Sequence, residues 1–126
     1  MTENELSQYY KLRKEVEDLE VRIKEFGEGV SGIEIKDIIT QSSGKRESIQ
    51  EKLMLLKDKW VEKRIRALEE YLKIESYIDS VGDPEMRTIM RLRFLDLMTW
   101  EDIGGIVHLE RTTVSKNMRK YLRGTK

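Results

Sequence analysis

Ile49, Leu53, Leu56 and Trp60 recur at steps of three and four residues. After a polar break at Lys63 the same steps continue through Ala67, Tyr71, Ile74, Ile78 and Val81. This is the spacing of one apolar face of an α-helix with a heptad repeat. It predicts a helix from roughly Lys45 to Ser80, on the order of 50 Å long at 1.5 Å per residue. A small globular core cannot cover a helix of that length. Its seam requires a second helix folded back along it, another chain, or both.

The chain supplies such a helix. Leu12, Val16, Leu19, Ile23 and Phe26 form a second heptad seam set among Lys, Arg, Glu and Asp, predicting a helix over about residues 3–26 that Gly27 and Gly29 end. Residues 27–44 connect the two and hold four of the eight glycines. Within them, Ile33 to Ile39 is too short to assign between a strand and one or two helical turns. The expected fold is all-α: a long antiparallel, coiled-coil-like helical hairpin over residues 1–80, followed by a helix-turn-helix domain over 81–126.

The C-terminal third is punctuated more sharply. Asp83-Pro84-Glu85 reads as a helix start, with a capping acid, Pro at the first position and a carboxylate at the positive helix end. Met86, Ile89, Met90 and Phe94 mark the face of that helix to about Asp96. Thr99 caps the next, which carries Glu101 and Asp102 in its first turn and Ile103, Ile106 and Val107 on its apolar side. After a break at His108-Leu109-Glu110, a last helix runs from about Arg111 to Arg123. Two short helices crossing at a tight turn need a small residue where they meet, and Gly104 follows the buried Ile103. The turn needs an apolar plug, which Leu109 provides, and the last helix needs inward residues, which Val114, Met118 and Leu122 provide at intervals of four.

Charge is balanced only in sum, with 24 Lys and Arg against 24 Asp and Glu. Residues 84–126 hold nine bases and five acids, net +4, and from Arg111 onward there are six bases and no acid. With Val114 at zero on a wheel of about 100° per residue, Thr112, Lys116, Arg119, Lys120 and Arg123 fall between about 140° and 240°, opposite the inward face. Such a helix can be merely an amphipathic surface helix. Together with Gly104, Leu109 and Val114, however, the pattern points to duplex DNA. The expected contacts are Arg111, Thr112, Thr113, Ser115, Lys116, Arg119, Lys120 and Arg123, the first turn reading base edges in the major groove and the flanking cations holding phosphates.

The stretch Arg87-x5-Arg93-Phe94-x4-Thr99-Trp100-Glu101-Asp102-Ile103-Gly104, continuing to Thr113-Val114 and Leu122, resembles the promoter-reading fourth region of bacterial sigma factors. More closely, the chain resembles the small phage and prophage ArpU/RinA-like transcriptional regulators, which also place a charged helical hairpin with a glycine-rich loop ahead of a sigma-like helix-turn-helix. The resemblance covers about residues 73–123 by motif and the front half by layout. It implies a regulator of phage or prophage transcription. Departures from the pattern are Gly104 where Ala is common, His108 at the turn glycine, Glu110 at the capping Ser and Leu97 at a loop glycine.

Other patterns carry less. Gly27-Glu28-Gly29-Val30-Ser31-Gly32 spells the dinucleotide fingerprint, but a charged helix precedes it where a strand is required. His108 is the only histidine and there is no cysteine, so no metal-ligand spacing is present. Nor is there a nucleophile constellation, and neither an enzyme nor a cofactor is expected. The longest apolar run is Leu53-Met54-Leu55-Leu56, far short of a membrane span. The opening Met1-Thr2-Glu3-Asn4-Glu5 lacks a signal-peptide pattern, which makes a cytoplasmic location the expectation. Expected partners are double-stranded DNA and a second copy through the helical hairpin, as a homodimer or higher oligomer. Two alternatives stand beside this reading: a sigma-like protein that docks on RNA polymerase, and a DNA-packaging component akin to a small terminase subunit.

Overall fold

The computed structural model describes residues 1–29 and 43–124. Among the described residues every element is helical and no strand occurs. Helix α1 spans Glu3–Leu6, α2 Gln8–Lys24, α3 Ser43–Asp79, α4 Pro84–Met90, α5 Trp100–Val107 and α6 Arg111–Gly124; π-helical turns at Glu25–Gly29 and Arg91–Leu95 extend α2 and α4. No helix among the described residues is long and apolar enough to cross a membrane. The stretch from Ile33 to Ile39, and the second half of the glycine fingerprint, lie outside the described residues.

The first helix differs in detail from the single run expected over 3–26. Ser7 separates α1 from α2; its hydroxyl donates at 2.9 Å to the Glu3 carbonyl, which also accepts the Ser7 N–H at 3.0 Å. Thr2 caps α1 by accepting from the Glu5 N–H. The helical run then continues through Gly27 to Gly29 instead of ending at the first glycine.

The described chain divides into two compact units, Leu12–Arg66 and Met1–Lys11 with Ala67–Lys126. The second reaches further back than the boundary expected at 80/81, and the reason is its core. Ile74 and Ile78 of α3 and Leu6 of α1 are fully buried, as are Met90, Ile103, Val114 and Met118 of the C-terminal helices. Each such side chain contributes about 1.5–3 kcal/mol through burial. In the same unit the ring of Tyr9 meets that of Tyr71 edge-on at 5.3 Å.

The Leu12–Arg66 unit is thinner. Val16 is buried, while Leu12, Leu19, Ile23, Leu53, Leu56 and Trp60 are half-buried. Phe26, expected on the seam, is exposed. The Lys63 ammonium donates to Glu15 at 2.6 Å, and a Cβ on Gly27 would sit 3.9 Å from Leu53. Hydrogen bonding by Lys63 and its charge, with smaller help from Arg66 and Lys59, hold the Glu15 carboxyl below the ordinary glutamate range. Arg64 stacks over the Trp60 ring at 4.7 Å.

Candidate nucleic-acid interface

The local chemistry that starts each C-terminal helix is the chemistry its sequence predicts. Asp83 accepts from the Glu85 N–H at 3.0 Å and Pro84 opens α4. Thr99 accepts from the Asp102 N–H at 3.1 Å and caps α5. Between these helices, Arg93 donates to the Met98 carbonyl at 3.0 Å and lays its guanidinium over the Trp100 ring at 4.5 Å. The loop is thereby tied to the first turn of α5.

The turn from α5 to α6 is tight. His108 ends α5 in the left-handed conformation, φ 60° and ψ 41°, and the Leu109 N–H donates to the Gly104 carbonyl at 3.0 Å. A Cβ on Gly104 would lie 2.4 Å from the Leu109 carbonyl oxygen, so the chain needs the small residue at that position. Leu97 and His108, the two departures at glycine positions, are also the two non-glycine residues with positive φ among the described residues. Here an L-residue occupies a backbone state that glycine would enter without strain.

Helix α6 presents two faces. Val114 and Met118 are fully buried and Leu122 is half-buried, so the expected inward residues do face the core. Arg111, Thr112, Thr113, Lys116, Arg119, Lys120 and Arg123 are exposed. Ser115 corrects the expectation. It is buried at 9% exposure, and its hydroxyl donates to the Thr112 carbonyl at 3.1 Å. The inward arc of α6 is wider than three residues at intervals of four, and Ser115, next to Val114, falls within it.

The exposed cations do not act as one row. Arg111, Thr112 and Arg119 line an open concavity with Arg93, Thr99, Trp100, Glu101 and Ser115. Three guanidinium groups and two threonines thus converge at the starts of α5 and α6, with Glu101 the one carboxylate among the lining residues. Lys120 lines a different concavity, together with Asp83 and Glu85. Arg119 is engaged as well: its guanidinium forks onto the Glu3 carboxylate, with Nε to Oε2 at 3.1 Å and a terminal nitrogen to Oε1 at 3.4 Å.

Sequence reasoning missed two participants. Arg93 joins Arg111 and Arg119 across a loop, which a single-helix wheel cannot show. Glu3 meets Arg119 across 116 residues, and nothing in the sequence marks it among the other acids. Among the described residues no group of three His, Asp or Glu side chains is placed to hold a metal ion. Comparison with known proteins finds no matching family model, no matching curated protein and no matching solved structure.

Proposed function

We propose that this protein is a sequence-specific, double-stranded DNA-binding transcription regulator. In this reading α5, the His108 turn and α6 form a helix-turn-helix, and the first turn of α6 enters the major groove. One observation carries it. The inner face of α6 is anchored by Val114 and Met118 at zero exposure, while Arg111, Thr112, Thr113, Lys116 and Arg123 stand on its solvent side. Arg111 offers the two parallel donors that match a guanine edge, and the threonine methyls suit thymine. The concavity of Arg93, Arg111 and Arg119 at the start of α5 has the charge and the helix N-terminus that suit a backbone phosphate.

The N-terminal helices fit the same reading as an antiparallel hairpin. Its support is the pairing of Glu15 with Lys63 and the approach of Gly27 to Leu53, since the residue number rises on one helix as it falls on the other. The ordered motif from Arg87 to Leu122 supports a place among ArpU/RinA-like regulators of phage or prophage genes.

The test is duplex binding measured against salt. Lys116→Ala should weaken binding to every duplex and reduce the slope of log affinity against log salt by about 0.9, one phosphate contact. Arg111→Ala should instead change which sequence a random-duplex selection recovers. No binding to any duplex at low salt would overturn the proposal, as would an Arg111→Ala variant that selects the original sequence.

A further inference from the structure

Helix α3 carries a second apolar seam that the first one hides. Relative to Trp60, the residues Met54, Val61, Ile65, Leu68 and Leu72 fall between about 80° and 140° around the helix axis. The seam through Trp60, Ala67 and Ile74 is covered by the protein's own residues, whereas all five residues of the second seam are exposed, from 47% at Val61 to 66% at Met54. They also keep heptad register. Ile65 and Leu72 stand at one core position, conventionally a, and Met54, Val61 and Leu68 at the other, d. Asp58 is a polar residue at a in the same series.

The charges that flank this seam identify its occupant. Lys57 and Arg64 precede the a residues Asp58 and Ile65 on one side, and Glu62 and Glu69 follow the d residues Val61 and Leu68 on the other; all four are exposed. In a parallel pair of such helices each flanking residue of the first kind meets the residue five further along in the second copy. Lys57 then meets Glu62, and Arg64 meets Glu69, so both charged flanking pairs are opposite in sign, while Tyr71 meets Ser76 without charge. In an antiparallel pair, bases would face bases and acids would face acids. Within the seam, the Ile65–Leu68 layer has the β-branched a and Leu d that favour two strands over three or four. Asp58 lies beside Lys57 of the other copy in the parallel arrangement, and a polar a residue fixes register at a cost in stability.

We propose that the Met54–Leu72 face of α3 is a parallel, two-stranded homodimer interface. Parallel pairing relates the two copies by a two-fold axis along α3, which is the symmetry of a DNA site with inverted half-sites. The interface itself does not depend on the DNA reading, and it is tested without DNA.

The full chain should sediment or scatter light as a dimer of twice 15.0 kDa, with dissociation on dilution. Ile65→Asp with Leu68→Asp should return it to monomer while the far-ultraviolet helical signal is kept, since both positions are exposed. Lys57→Glu with Arg64→Glu should weaken the dimer about tenfold or more, and adding Glu62→Lys with Glu69→Lys should restore it. The chain has no cysteine, so Val61→Cys and Leu68→Cys introduced singly report orientation. Each d residue faces its own copy in a parallel dimer, within the roughly 4.4–6.8 Å Cα separation a disulfide spans, and both variants should cross-link on mild oxidation. A monomer at every concentration overturns the proposal. So do a trimer or larger assembly, a dimer indifferent to the aspartate or charge variants, and a failure of either cysteine to cross-link.

Discussion

Gly104 and Gly105 are neighbours in α5, and alanine at the two positions should act in opposite directions. An alanine in place of glycine within a helix stabilises it by about 0.8–1 kcal/mol. At Gly105 nothing lies within 4 Å of an added Cβ, so Gly105→Ala should realise that gain in full. At Gly104 the same methyl would stand 2.4 Å from the Leu109 carbonyl oxygen and 3.4 Å from the Arg111 nitrogen. Carbon and oxygen approach comfortably at about 3.3–3.6 Å, so the turn must retreat by roughly 1 Å. The obstacle is backbone and has no rotamer to change. Overpacking of this kind costs about 1–3 kcal/mol, the upper part applying to backbone, which leaves a net loss of about 1–2 kcal/mol after the helix gain. Thermal melts followed by far-ultraviolet circular dichroism should therefore place Gly105→Ala about 3–5 °C above the parent, with Gly104→Ala about 3–10 °C below it. Gly104→Ala melting at or above the parent would refute the close crossing of α5 with the turn, and with it the placement of α6.

Other perturbations follow from the same geometry. His108→Gly and Leu97→Gly remove a side chain from a left-handed position and should each raise stability by about 0.5–1 kcal/mol, the relieved strain exceeding the added chain entropy; equal or lower melting temperatures would count against those backbone angles. Glu3→Gln releases Arg119 and should tighten duplex binding while steepening its salt dependence by up to about 0.9; an unchanged titration would remove Arg119 from the contact set. The Glu15 pKa is lowered in the folded chain, chiefly by its hydrogen bond to Lys63. Its stabilisation is therefore present above the ordinary glutamate range and is lost as pH falls through the lower folded value. Lys63→Met should melt below the parent near neutral pH and converge with it in acid, and a gap that persists in acid would show that packing, not the ion pair, is responsible.

What could be read from the sequence was whatever is local. Asp83, Pro84 and Thr99 act within a turn of themselves, so their roles follow from residue type and spacing, and α3 follows from its long repeat. His108 was legible as a positive-φ site because one residue must reverse the chain there. Relations set by tertiary contacts were not legible. Ser115 turns inward because the buried face of α6 is broader than its three spaced apolar residues suggest. Lys120 parts from Arg119 because two concavities, built from different partner helices, divide the charged face. The second seam of α3 was written in the sequence but overshadowed. Met54, Val61, Ile65, Leu68 and Leu72 look like ordinary scatter until exposure shows that the Trp60 seam does not use them.

The left-handed residues Leu97 and His108 stand just outside the two ends of α5, three residues before its first and directly after its last. An eight-residue helix held between two such joints cannot slide or rewind by a turn without flipping a backbone angle at one of them. Amide protons around Ile103 and Gly104 should consequently be lost to solvent deuterium only when the whole surrounding unit opens. A load on α6 would then be passed to the core through a stiff bracket and not absorbed by a hinge.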